Sequence, residues 1–129
     1  LNIESAEGKL VTFILCGMPS LMEVLRKIPP LYQRIAVQVV LTPLTKESTI
    51  EYVKHRLRLA GGREDIFTPR AYELIYRYSM GYPRLINAIC DNAMLEAAIE
   101  RKLPVDEKIV GRAIVELGLA RKKSAPQQG

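Results

Sequence analysis
The rhythm of apolar and polar positions changes at about residue 44. Residues 10–16, Leu-Val-Thr-Phe-Ile-Leu-Cys, form an apolar run broken only by Thr12. Its length and β-branched content predict a strand buried on both faces, as in a parallel sheet. Residues 35–41 predict a second strand. There Ile35, Val37, Val39 and Leu41 alternate with Ala36, Gln38 and Val40, so one face is less completely covered. Between them Gly17-Met18-Pro19 ends the first run. Ser20 is placed to cap a short helix over residues 21–27, Pro29-Pro30 stops it, and residues 31–34 read as a connection. Residues 1–9 read as a helix end followed by a loop.

After Thr42-Pro43-Leu44-Thr45 the period becomes helical throughout. Thr45 caps residues 46–60, with Ile50, Val53 and Leu57 in one stripe, and Gly61-Gly62 ends that helix. Thr68-Pro69 opens the next, striped by Ala71, Leu74, Ile75 and Tyr78 and closed by Gly81. A third starts at Pro83 and runs to about Glu100. Its broad face of Leu85, Ile86, Ile89, Cys90, Ala93, Met94 and Ala97 belongs at the centre of a helical bundle. Leu103-Pro104 breaks it. Asp106 caps a last helix, with Val105 and Val110 placed as a hydrophobic staple and Ile109, Ala113, Ile114 and Leu117 inside. The expected fold class is α/β, mostly α: two strands, then four helices, then a disordered basic tail over residues 119–129.

The 129 residues suit one domain with an appendage, and 48% hydrophobic content can build a core. A net charge of +5 would attract nucleic acid, anionic lipid or nucleotide phosphates without choosing among them. Cys16 and Cys90 lie in apolar runs and read as buried thiols of a cytoplasmic protein. No apolar run reaches the length of a membrane span. The chain starts at Leu1 without a methionine or a signal peptide, which reads as a piece of a longer protein.

Most chemistries find no constellation. The single histidine, His55, stands among Lys54, Arg56 and Arg58, so no triad or metal cluster can be assembled. Gly8-Lys9 fails as a phosphate loop: Ile3 occupies the first glycine position, Leu10 follows the lysine, and the strand comes after the loop. Helix packing explains the third helix better than DNA reading, because its outward face carries Asp91 and Glu96 beside Asn87 and Asn92. The position that asks for a reason is Arg84. In Gly81-Tyr82-Pro83-Arg84 a cation falls in the first turn of a helix, where the dipole favours anions. A bound phosphate supplies one reason. A solvated arginine, or one paired with a nearby carboxylate, is the other reading. Arg70 and Arg77 are grouped with it.

Strand, Gly17-Met18-Pro19, short helix, Leu31-Tyr32-Gln33-Arg34-Ile35, strand, Leu41-Thr42-Pro43-Leu44, then Gly81-Tyr82-Pro83-Arg84-Leu85-Ile86-Asn87: this succession resembles an AAA+ ATPase. The closest branch is that of the secretion ATPases, general secretion pathway protein A and its relatives, and the resemblance runs from about residue 1 to residue 117. It implies that residues 1–44 are the C-terminal remnant of the nucleotide-binding core and residues 45–118 the helical lid. It implies that Arg34 is an arginine finger reaching a neighbour's nucleotide, although a loop arginine paired with an acidic residue fits the same position. Arg84, with Gly81 and Pro83 shaping its turn, would be sensor 2. Met18 stands at the sensor 1 position, where the branch usually has glutamine, and its thioether has no amide to orient a water or phosphate.

The phosphate loop and the Asp-Glu strand of the family are missing from this sequence. ATP and magnesium are therefore expected in the longer protein, and no cofactor on this chain alone, which is expected to be inactive. The two strands would be neighbours of a missing strand. Their unpaired edges predict pairing with each other or with another copy, hence a homo-oligomer. The resemblance further implies a secretion-machine partner and a cytoplasmic protein, the longer form free or anchored to the bacterial inner membrane. A nucleic-acid-associated adaptor of the transposition ATPase type, or a stand-alone helical interaction domain, are the alternatives. Salt-dependent DNA binding would mark the first and a natural start codon beside Leu1 the second.

Overall fold
A computed structural model describes residues 4–5, 8–9 and 11–120. The predicted tail from residue 121 onward, and Leu10 at the head of the first predicted strand, lie outside the described residues. The chain divides into two units at Leu41/Thr42.

The first unit departs most from expectation. It opens on an antiparallel pair, β1 (Glu4–Ser5) and β2 (Gly8–Lys9), in the register Glu4↔Lys9 and Ser5↔Gly8, where a helix end was expected. Gly8, in β2, has φ 115°, a conformation that favours glycine. Neither predicted strand forms: residues 11–16 and 35–41 are irregular and do not pair with each other. The reason is that a strand buried on both faces needs neighbours for its backbone N–H and C=O groups as well as cover for its side chains. Among the described residues nothing supplies them, and Ile14, Val37, Val39 and Leu41 are exposed.

Two short helices lie between these segments. In α1 (Ser20–Arg26), Pro19 is the N-cap and Ser20 the first helical residue, so the expected serine cap is absent. Lys27 closes the last turn, and Leu25 is the buried residue. Pro29-Pro30 does more than stop it. Proline suits a first helical turn, and the pair opens α2 (Pro29–Tyr32).

The second unit follows its sequence closely. Its helices are α3 (Lys46–Leu59), α4 (Pro69–Ser79), α5 (Pro83–Glu100) and α6 (Glu107–Glu116). Thr45 Oγ1 accepts from Ser48 N, Thr68 Oγ1 from Ala71 N, and Asp106 from the amides of Lys108 and Ile109, satisfying donors each helix start leaves open. α5 packs on α4 and α6, α4 on α6, and α3 on α4 and α5. Ile75, Ile86, Ile89, Ile109 and Ile114 are fully buried where these helices meet. Each such side chain contributes about 1.5–3 kcal/mol relative to an exposed one. Val105 and Val110, the expected staple, are buried as well. A link that periodicity does not announce joins the α3–α4 and α5–α6 connections: Val105 N donates to Ile66 O and Thr68 N to Val105 O, a short parallel bridge that pairs Phe67 with Val105.

Candidate functional site
The turn between α4 and α5 is built from two consecutive left-handed residues. Met80 takes φ 52° and donates its N–H to Tyr76 O, and Gly81 follows at φ 77°. Buried Ser79 holds the turn from inside, its Oγ accepting from Gly81 N at 3.3 Å and donating to Tyr76 O at 3.4 Å. Position 81 requires glycine for a second reason. Leu44 N donates to Gly81 O at 2.8 Å, and a Cβ on residue 81 would overlap the Leu44 carbonyl oxygen. The segment that leads into α3 is thus fastened to the turn that leads into α5. Sequence reading assigned Gly81 the roles of helix stop and of shaping the Arg84 turn, and no local pattern signals a contact 37 positions away.

Tyr82 is the N-cap of α5, extended at φ −80° and ψ 118°, and makes no side-chain cap. Pro83 is the first helical residue and brings no N–H, while Leu85 N and Ile86 N both bond to Tyr82 O. No acidic residue lies in this first turn. The positive end of the helix dipole is therefore uncompensated by a carboxylate, and Arg84 adds a full charge beside it. Arg84 is exposed, and its side chain has no hydrogen bond or ion pair among the described residues. The carboxylate-paired reading of Arg84 is absent from the structure. One turn further, Asn87 Oδ1 accepts from the Tyr52 hydroxyl at 3.0 Å, and that hydroxyl accepts from Arg56 Nη1 at 3.3 Å, tying the start of α5 to α3.

Arg70 does not belong with Arg84. It lies in the first turn of α4, at the opposite end of that helix from Gly81, and its guanidinium reaches Glu107 at 3.7 Å. Arg77 is in the last turn of α4. The basic group on α3 is largely engaged: Arg58 with Glu64 at 2.9 Å, Lys54 with Glu51 at 3.9 Å, Arg56 with Tyr52. These exposed pairs contribute little stability, but they lower the charge α3 offers to an outside anion.

The other two candidates sit in the first unit. Met18 is exposed in the turn that opens α1, its carbonyl accepting from Leu21 N at 2.8 Å. Arg34 follows α2, its N–H on Leu31 O at 3.1 Å and its exposed side chain unpartnered among the described residues. The acidic partner considered for it is therefore not seen. Two residues before it, the neighbouring Gln38 and Arg26 side chains hold the Tyr32 pKa below the usual phenol value.

Cys90 is buried, and that burial pushes its thiol up to about 12, leaving it inert as a nucleophile. Cys16, expected inside, is exposed, because the run that carries it is not packed. Among the described residues no group of three His, Cys, Asp or Glu side chains is placed to hold a metal, and no helix is long and apolar enough to cross a membrane. The turn at residues 81–84 presents one guanidinium, unpartnered among the described residues, at the N-terminus of an 18-residue helix.

Comparison with known proteins gives two relatives. The chain is 33% identical over 119 residues, 88% of its length, to an uncharacterised HTH-type transcriptional regulator of Methanocaldococcus jannaschii, covering 29% of that protein. It is 36% identical over 130 residues, 99% of its length, to General secretion pathway protein A of Aeromonas hydrophila, covering 24% of it. The chain therefore spans less than a third of the length of the curated relatives it matches. No protein-family model and no solved structure matches it. Almost end to end, the chain is similar to one stretch of a general secretion pathway protein A.

Proposed function
We propose that the chain is a segment of a secretion-associated AAA+ ATPase of the general secretion pathway protein A kind, and that Arg84 is its sensor 2, contacting the phosphates of ATP. The observation that carries this reading is the unpartnered Arg84 guanidinium on the first turn of α5, presented by a turn whose backbone Gly81 makes possible. Guanidinium forks match phosphate oxygens in a bidentate way, and the helix N-terminus adds positive potential at the same place. The similarity to the secretion pathway protein supplies the biological setting.

In this reading residues 45–118 are the lid, and residues 11–16 and 35–41 are strands of a core sheet whose other strands lie outside the chain. Arg34 is the arginine finger, stabilising charge on the phosphoryl group transferred at a neighbouring copy, which makes the longer protein an oligomer. ATP supplies that phosphoryl group, and magnesium and the phosphate cradle come from residues outside this sequence. The chain by itself is accordingly without ATPase activity. Met18 contributes no hydrogen-bonding amide at the sensor 1 position. A secretion-machine protein is the partner through which turnover is used. Nucleic-acid binding has less support, since most of the α3 cations are already engaged.

The test uses the longer protein. Arg84→Ala should weaken ATP affinity roughly tenfold or more, the loss of one charged hydrogen-bonding group, without moving the thermal midpoint. Arg34→Ala should abolish turnover while leaving nucleotide affinity intact. Unchanged affinity and turnover in Arg84→Ala would remove the sensor 2 assignment. Salt-dependent binding of duplex DNA with no ATP turnover would replace the whole reading with the nucleic-acid one.

A further inference from the structure
The contact between α3 and α5 that ends on Asn87 has a direction. Arg56 Nη1 donates to the Tyr52 hydroxyl at 3.3 Å, and the hydroxyl donates to Asn87 Oδ1 at 3.0 Å. A guanidinium only donates, so the tyrosine oxygen accepts from it and its single proton goes on to Asn87. That proton has to meet the carbonyl side of the carboxamide. The Nδ2 side, with its two N–H donors, is therefore turned the other way. It has no hydrogen-bond partner among the described residues. The Tyr52–Asn87 bond is part-buried and the chain starts from a charged donor, so each member polarises the next and strengthens the donors at the open end.

The helix places that open end. Asn87 follows Arg84 by three positions in α5, so the two share a face. Helical side chains lean toward the N-terminus, which lays the Asn87 carboxamide over the turn that carries Arg84. Asp91, the first acidic residue of α5, lies one turn further from Arg84 and acts electrostatically on Arg56. A purely structural tie between α3 and α5 needs only an acceptor for the Tyr52 hydroxyl. The carboxamide brings two donors beyond that need, beside a guanidinium that is itself unpartnered among the described residues. A group that accepts from both would be rich in oxygen and anionic, as a phosphate is.

We propose that Asn87 is a second phosphate-binding residue, its Nδ2 donating to an oxygen of the same phosphate group that Arg84 engages, with Tyr52 as the positioning residue that holds the amide this way round. The inference rests on the sensor 2 reading of Arg84 and adds to it a neutral donor and the residue that aims it.

ATP affinity and thermal midpoint, measured together on variants of the longer protein, test it. Asn87→Leu and Tyr52→Phe each remove the same bond between α3 and α5, but only Asn87→Leu removes the outward donors. Asn87→Leu should weaken ATP binding roughly tenfold, the loss of a hydrogen bond to a charged group, and Tyr52→Phe clearly less, since the amide remains but is free to turn. The double variant Tyr52→Phe/Asn87→Leu replaces both partners with apolar groups, so it should recover the midpoint lost in Asn87→Leu without recovering affinity. Combined with Arg84→Ala, Asn87→Leu should cost less than the product of the two separate losses, because both side chains act on one phosphate. Equal affinities in Asn87→Leu and Tyr52→Phe, or affinity that returns with the midpoint in their double variant, would make the contact a structural tie and overturn the proposal. Independent losses with Arg84→Ala would put Asn87 on another part of the nucleotide and overturn it too. Arg84→Ala weakened beside an unaffected Asn87→Leu removes this inference alone, whereas an unaffected Arg84→Ala removes the sensor 2 reading and this inference with it.

Discussion

Ile14 and Ile75 are the same residue with opposite fates: 83% exposed in one unit, fully buried in the other. Both were expected inside. The difference is where each segment finds its partners. An amphipathic helix satisfies its own backbone and needs only apolar surface, and α3 to α6 provide that surface to each other. A doubly buried strand satisfies nothing alone. It needs strands on both edges and layers on both faces, and residues 11–16 and 35–41 have none among the described residues. Equal hydrophobicity therefore gives a core in one unit and exposed apolar chain in the other.

Substitution at these two isoleucines breaks the comparison most severely. Ile75→Ala leaves a cavity at the α4–α5–α6 junction and should cost about 2–5 kcal/mol in denaturant unfolding. Ile14→Ala should change stability by no more than about 0.5 kcal/mol. Comparable losses at both sites would mean that residues 11–16 are packed after all.

Gly81→Ala sharpens the comparison within the second unit. Its φ of 77° disfavours any side chain, and the added methyl would displace the Leu44 carbonyl. Destabilisation of at least about 1 kcal/mol is expected. The Leu44 N–H, bonded to Gly81 O in the wild type, should lose its protection from exchange. Loss of stability with Leu44 still protected would show that strain alone, and not the fastening of residues 42–45, is at stake.

What was legible in the sequence was what is local. Thr45, Thr68 and Asp106 announce helix starts because a cap and the amides it satisfies lie within three residues of each other. Pro83 starts a helix and so puts Arg84 in its first turn, which marks Arg84 as an unusual cation from sequence alone. Met80 in a left-handed conformation was not legible, because glycine beside it looked sufficient to end the helix. Neither was Leu44 against Gly81, nor the bridge from Val105 to Ile66 and Thr68, since each joins residues more than thirty apart in chain order. The two apolar runs predict strands that the structure does not form, because a strand is a property of a sheet and the pattern does not say where the neighbours are.

Backbone hydrogen exchange, followed residue by residue in this chain and in the longer protein, tests the central claim that residues 11–16 and 35–41 await neighbours from outside it. Residues 46–117 should be protected in both. The two apolar segments should exchange freely in the chain alone and become protected in the longer protein. Protection of these segments in the isolated chain as a monomer, or free exchange in both, would contradict the account.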